Sequence, residues 1–123
     1  MRKLLVAFLV VACGWLALGL TGGAQEKPKY TIKEVMKAAH AKMALKDKVV
    51  AGTATADEKK LLLEHYQALA ASKPPKGDEA SWKEKTSALV SAAKDAVDGK
   101  EGAADKLRAA SMCAACHSAH KGK

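Results

Sequence analysis

Residues Ser111–Lys123 read SMCAACHSAHKGK, a close to the chain in which two cysteines and two histidines fall between Cys113 and His120. So dense a cluster of soft and imidazole donors is open to three readings: a haem attachment site, a zinc site or a redox dithiol. Each makes its own demand on the rest of the chain.

Outward from that cluster the pattern is helical. Thr31-Ile-Lys-Glu34 is a capping box, in which the threonine side chain and the glutamate satisfy each other's backbone N–H groups. Ile32, Val35, Met36, Ala39, Met43 and Ala44 follow it at the three-four spacing of an apolar stripe, as far as Gly52. Thr55-Ala-Asp-Glu58 opens a second helix through Leu61, Leu62, His65 and Leu69 to about Ser72, and Pro74-Pro75-Lys-Gly77 breaks the chain. Ser81-Trp-Lys-Glu84 predicts a third start, with Trp82, Leu89, Ala93 and Val97 on one face and a stop at Gly99. A fourth helix is expected from Ala103 through Leu107 and Met112 to Gly122. No window alternates as a strand does, so the chain is expected to be all-α, an antiparallel up-down-up-down four-helix bundle.

At the other end, Arg2 and Lys3, an apolar stretch from Leu4 to Leu20 and the small residues Gly22-Gly23-Ala24 have the order of a secretory signal peptide. The expected domains are a leader over 1–24, cut before Gln25, and one mature domain over 25–123. An uncut anchor helix is the alternative. Lipid attachment at Cys13 is another, since Val-Val-Ala-Cys resembles a lipobox, but the apolar residues after Cys13 weigh against it. Export to the periplasm follows from the leader, with no stable membrane insertion once it is removed.

Loss of the leader removes Cys13, so the mature chain keeps only Cys113 and Cys116 and no disulfide framework, although the compartment permits one. The core is underfilled: Leu, Ile and Val together number 13 in the mature chain and Phe is absent, against 22 alanines. Alanine favours helix but fills little space, and a buried haem would supply the missing apolar bulk. Nineteen Lys and Arg stand against 13 Asp and Glu after the leader, a net charge of +6. Arg108 is the single mature arginine, and nucleic acid is not expected for an exported chain without bidentate phosphate readers. A lysine-rich surface suits transient contact with acidic redox partners.

Cys113-Ala-Ala-Cys116-His117 is C-x-x-C-H, the signature of c-type haem attachment. Cysteines three apart share a helix face, so both thiols can bond the vinyl groups of one porphyrin while His117 turns toward the iron. Structural zinc asks for four ligands, and Cys113, Cys116, His117 and His120 would have to unwind an Ala-rich helix to wrap one ion. A thioredoxin-like dithiol follows a strand and precedes a helix, and no such strand is expected. One covalently attached haem c is therefore the expected cofactor, with Cys113 and Cys116 as its thioether sites and His117 as the proximal iron ligand.

With its motif near the C-terminus of an exported, Ala- and Lys-rich helical chain, the sequence resembles the class II c-type cytochromes, the cytochrome c′ family. The likeness covers nearly all of the mature chain. It is strongest over DKLRAASMCAACHSAHK (Asp105–Lys121) and weaker over TIKEVMKAAH (Thr31–His40). The resemblance implies a first-helix residue on the far side of the iron, apolar in five-coordinate gas binders and methionine in electron carriers. It also permits a homodimer through the first two helices. Two departures stand out. His120 occupies the place of an aromatic residue usual three positions after the motif histidine, and lysines such as Lys33 stand where an arginine often lies near the haem propionates.

Met36 and His40 are one turn apart on one helix face. In an antiparallel bundle His117 lies about 6 Å from the end of the last helix, Met36 about 7 to 8 Å into the first and His40 about 13 to 14 Å, at 1.5 Å per residue. Depth favours Met36 as distal ligand, and the Val35-Met36-Lys37 setting also resembles the Met-ligated, six-coordinate branch of the family; His40 is the alternative and an open site the third. Met43, Met112 and Trp82 are expected to pack the core, His120 to cap the helix end or meet solvent, and His65, Tyr30 and Tyr66 to carry no chemistry. No nucleophile, paired carboxylates or phosphate loop points to an enzyme. The expected function is single-electron transfer, and the alternative is a five-coordinate haem protein binding nitric oxide or carbon monoxide.

Overall fold

A computed structural model describes residues 27–122. The leader, its cleavage site before Gln25 and Cys13 lie outside the described residues. Within them the chain is all-helical, without strands, and its helical regions pack on one another as in a helical bundle. No helix among the described residues is long and apolar enough to cross a membrane.

The first region is α1 (Ile32–Val35), a π-helical turn (Met36–His40) and α2 (Leu45–Ala51). The second and third are α3 (Ala56–Ala71) and α4 (Glu79–Val97), and the fourth is α5 (Ala103–Ala110) followed by α6 (Cys113–His120). Thr31 and Thr55 cap α1 and α3, each with the full reciprocal capping box to Glu34 and Glu58. The start of α4 differs from expectation. Asp78, not Ser81, is the cap, its Oδ2 accepting from the Ser81 N–H at 2.9 Å, which leaves the Ser81 hydroxyl free for another partner.

The α3–α4 hairpin is the most extensive contact in the molecule. Leu62, Tyr66 and Leu69 from α3 and Leu89, Ala92 and Ala93 from α4 are buried in it, joined by Leu107 of α5 and by Val35 and Ala39 of the first region. Trp82 is buried where the hairpin closes, and its Nε1–H donates to the Ser72 carbonyl at 2.8 Å. Tyr30 stacks on His65 with ring centroids 4.1 Å apart, pinning the lead segment to α3. His65, without an evident partner in the sequence, is buried and donates from Nδ1 to the Leu61 carbonyl at 2.8 Å.

Both outer regions are interrupted where continuous helices are expected. After His40 the chain turns extended at Ala41, and Met43 takes φ 60°, a left-handed value uncommon away from glycine. The turn is held by Asp47, whose Oδ2 accepts from the Met43 N–H at 2.9 Å. In the fourth region Ser111 (φ −95°, ψ 19°) and Met112 (φ −62°, ψ 107°) leave helical geometry, so the motif begins a helix of its own at Cys113. Met43 and Met112, expected in the core, are instead exposed, because each stands at one of these breaks rather than on a continuous stripe.

Candidate haem-binding site

The break at Ser111–Met112 decides how the motif is presented. α6 is held to the rest of the molecule mainly through its last residue, His120, which is 2% exposed. His120 Nδ1 lies 2.9 Å from the Lys76 carbonyl and Nε2 lies 3.1 Å from Ser81 Oγ. A carbonyl only accepts, so in the neutral ring Nδ1 carries the proton and Nε2 accepts from the serine hydroxyl. The ring also meets Trp82 edge-on, with centroids 5.4 Å apart at 73°. His120 thus fills an aromatic slot rather than capping the helix end or meeting solvent.

Gly77 completes the clasp. Its φ is +85°, and a Cβ there would lie 2.5 Å from the Ala119 carbonyl oxygen and 2.9 Å from His120 Nδ1. Only glycine allows the Pro74–Gly77 loop to run this close to the end of α6. The loop reads as a simple chain break in the sequence, because its partner lies more than 40 residues away.

Anchored at its far end, α6 leaves its reactive residues uncovered: Cys113 and His117 are exposed and Cys116 is half-buried. They line a cavity of about 520 Å³. The π-turn contributes Met36 and His40 to the same lining, and Leu69, Leu89, Pro75 and Trp82 make much of the rest apolar. The structure therefore brings every residue singled out in the sequence as thioether site, proximal ligand or distal candidate to one cavity. Lys33 and Lys121 also line it.

Two buried polar atoms have no hydrogen-bond partner, Nε2 of His40, a residue of the cavity lining, and the hydroxyl of Tyr66. The two rings are neighbours, with centroids 5.5 Å apart and tilted at 49°. Burial lowers the His40 pKa to about 4, with Lys46 and then His117 pushing the same way. Burial likewise drives the Tyr66 phenol well above its usual range, and the nearby Cys113 adds to it. Tyr66 carries no motif signature and is missed by sequence reasoning.

A porphyrin makes four demands here: an apolar slot, two thiols on one side of it, an imidazole for the iron and basic groups for the carboxylates. The cavity offers each, with Lys33 and Lys121 as the basic groups, and His40 lines it as a further imidazole. The residues fit a haem. They fit zinc poorly, because His120 is committed to Lys76 and Ser81, and among the described residues no three His, Cys, Asp or Glu side chains converge as a metal site. They fit a redox dithiol poorly as well, since reactive thiols have depressed pKa values. Burial pushes Cys116 the other way, against a smaller opposing effect of Lys85. No family model, curated protein or solved structure matches the chain.

Proposed function

We propose that the protein is an exported, monohaem c-type cytochrome of the class II kind, a periplasmic single-electron carrier built as an antiparallel up-down-up-down bundle. The observation that carries the reading is the convergence of Cys113, Cys116 and His117 with Met36 and His40 on one apolar cavity. When bound, haem c supplies a one-electron ferric/ferrous couple.

The chain does the rest. Cys113 and Cys116 would hold the macrocycle as thioethers, which would prevent its loss after export. His117 would supply one iron ligand, and the π-turn offers Met36 and His40 as candidates for another. Leu69, Leu89 and Trp82 would keep water from the haem, and that low-polarity wall together with the iron ligands would set its potential. Lys33 and Lys121 balance the carboxylates at the rim. The remaining lysines attract acidic redox partners, an attraction that salt weakens.

Optical spectra of the haem-loaded protein, oxidised and reduced, with and without carbon monoxide, test the reading. A low-spin spectrum that the gas leaves unchanged is expected of a closed electron carrier. A high-spin spectrum that shifts with the gas would replace electron transfer by binding of carbon monoxide or nitric oxide.

A further inference from the structure

The preference for Met36 rests on depth along two unbroken helices, and the structure interrupts both. The first is broken immediately after His40 and the last immediately before Cys113. Met36 and His40 both precede the first break, but the separate helix that starts at Cys113 removes the common axis along which the depth of His117 was reckoned, so the choice falls to what each side chain does where it lies.

Met36 is already at ease. It packs, partly buried, against the hydrophobic cluster, and a thioether needs no hydrogen bond when buried. His40 is not: its ring forms part of the cavity wall while its Nε2 is sealed from solvent without a partner. A buried polar atom left in that state is costly, and a lone pair on an imidazole nitrogen is what a metal ion takes up.

Backbone geometry concentrates at the same residue. π-helical turns are rare in helices and recur at functional sites, and this one ends on His40. Three residues later Met43, a side-chain-bearing residue, is in the left-handed region, a conformation that persists only where its surroundings impose it. A plain α-helix through this stretch would need neither feature. Tyr66, the aromatic neighbour of His40, carries the other unpaired atom.

We infer that His40, rather than Met36, is the second axial ligand, so that the iron is held between His117 and His40. The inference rests on the proposed haem reading and deepens it. Two imidazoles leave the iron closed to gases in both oxidation states and favour the ferric form relative to a His/Met pair, so the carrier works at the more reducing end of its class.

The test uses the exported, haem-loaded protein, with electron paramagnetic resonance and near-infrared spectra of the oxidised form. The expected result is a low-spin ferric signal without the sulfur-to-iron charge-transfer band of methionine ligation. His40→Ala should become high-spin and bind carbon monoxide when reduced, added imidazole should restore the low-spin form, and Met36→Leu should leave the spectrum as it was. If His40→Ala fails to fold, His40→Met keeps a donor in place and should gain the sulfur band. A sulfur band in the wild type that disappears in Met36→Leu would overturn the assignment, as would a high-spin wild type, and in both cases haem attachment would stand. A product with no covalent haem would instead bring down the parent reading, and this inference with it.

Discussion

The α3–α4 hairpin and the two outer regions are made from the same alanine-rich sequence, yet they are built differently. The hairpin consists of two uninterrupted helices, each capped by a side chain and joined along a buried apolar seam. The outer regions are each broken, at Ala41–Ala44 and at Ser111–Met112, and both breaks lie next to the cavity. The hairpin serves as a frame. The interrupted segments give up helical regularity to present side chains: Met36 and His40 from one side, Cys113, Cys116 and His117 from the other.

The largest loss of stability is expected from the frame. Leu62→Ala removes a fully buried side chain from the hairpin, and urea unfolding should show a loss of about 2–5 kcal/mol. Gly77→Ala strikes the clasp instead, where a Cβ meets the Ala119 carbonyl and the backbone is left-handed. A cost of about 1–3 kcal/mol is expected, with amide hydrogen exchange rising first in α6 and least in the hairpin. Uniform loss of protection would mean that the clasp and the frame are one unit.

Smaller changes sharpen the same contrast. Thr55→Ala, which deletes the α3 cap, should cost about 1 kcal/mol in the same unfolding measurement. Met43→Gly should move in the opposite direction and raise stability by less than about 1 kcal/mol, because it relieves a left-handed residue whose side chain is exposed. The smallest effect is one of pH. Glu34 is held below its usual pKa by the Thr31 backbone N–H and then the Thr31 hydroxyl, and Glu58 by Lys48 and then the Thr55 backbone N–H. Their folded values lie below the ordinary 4.5, so their contribution is present above it and is lost as pH falls through the folded values. Chemical shifts at the starts of α1 and α3 should show fraying there before the remainder of the fold responds.

The same division explains what could be read in advance. Capping boxes are local, so Thr31–Glu34 and Thr55–Glu58 declare themselves in sequence. The apolar stripes are local too, and Val35, Ala39, Leu62, Leu69 and Leu89 are buried as their spacing predicts. The motif residues and both distal candidates stand out in the sequence because chemistry restricts their types, and the structure brings them to one cavity. The breaks are not. α2 starts after Ala44 and α6 after Met112, residues with no side-chain cap to announce a helix. Ser81 was outcompeted by Asp78, three residues earlier, for the same capping role. The hydrogen bonds of His120 to Lys76 and Ser81, and the ring contact of His40 with Tyr66, depend on tertiary approach, which no window of sequence contains.

The central claim is that Cys113 and Cys116 carry one haem covalently. The most direct measurement is the intact mass, under denaturing conditions, of the chain exported from cells competent for c-type haem attachment. The account predicts a mature polypeptide heavier by one haem, with the haem absent from the chain when both cysteines are replaced by serine. A colourless polypeptide of unmodified mass from the same cells would contradict it.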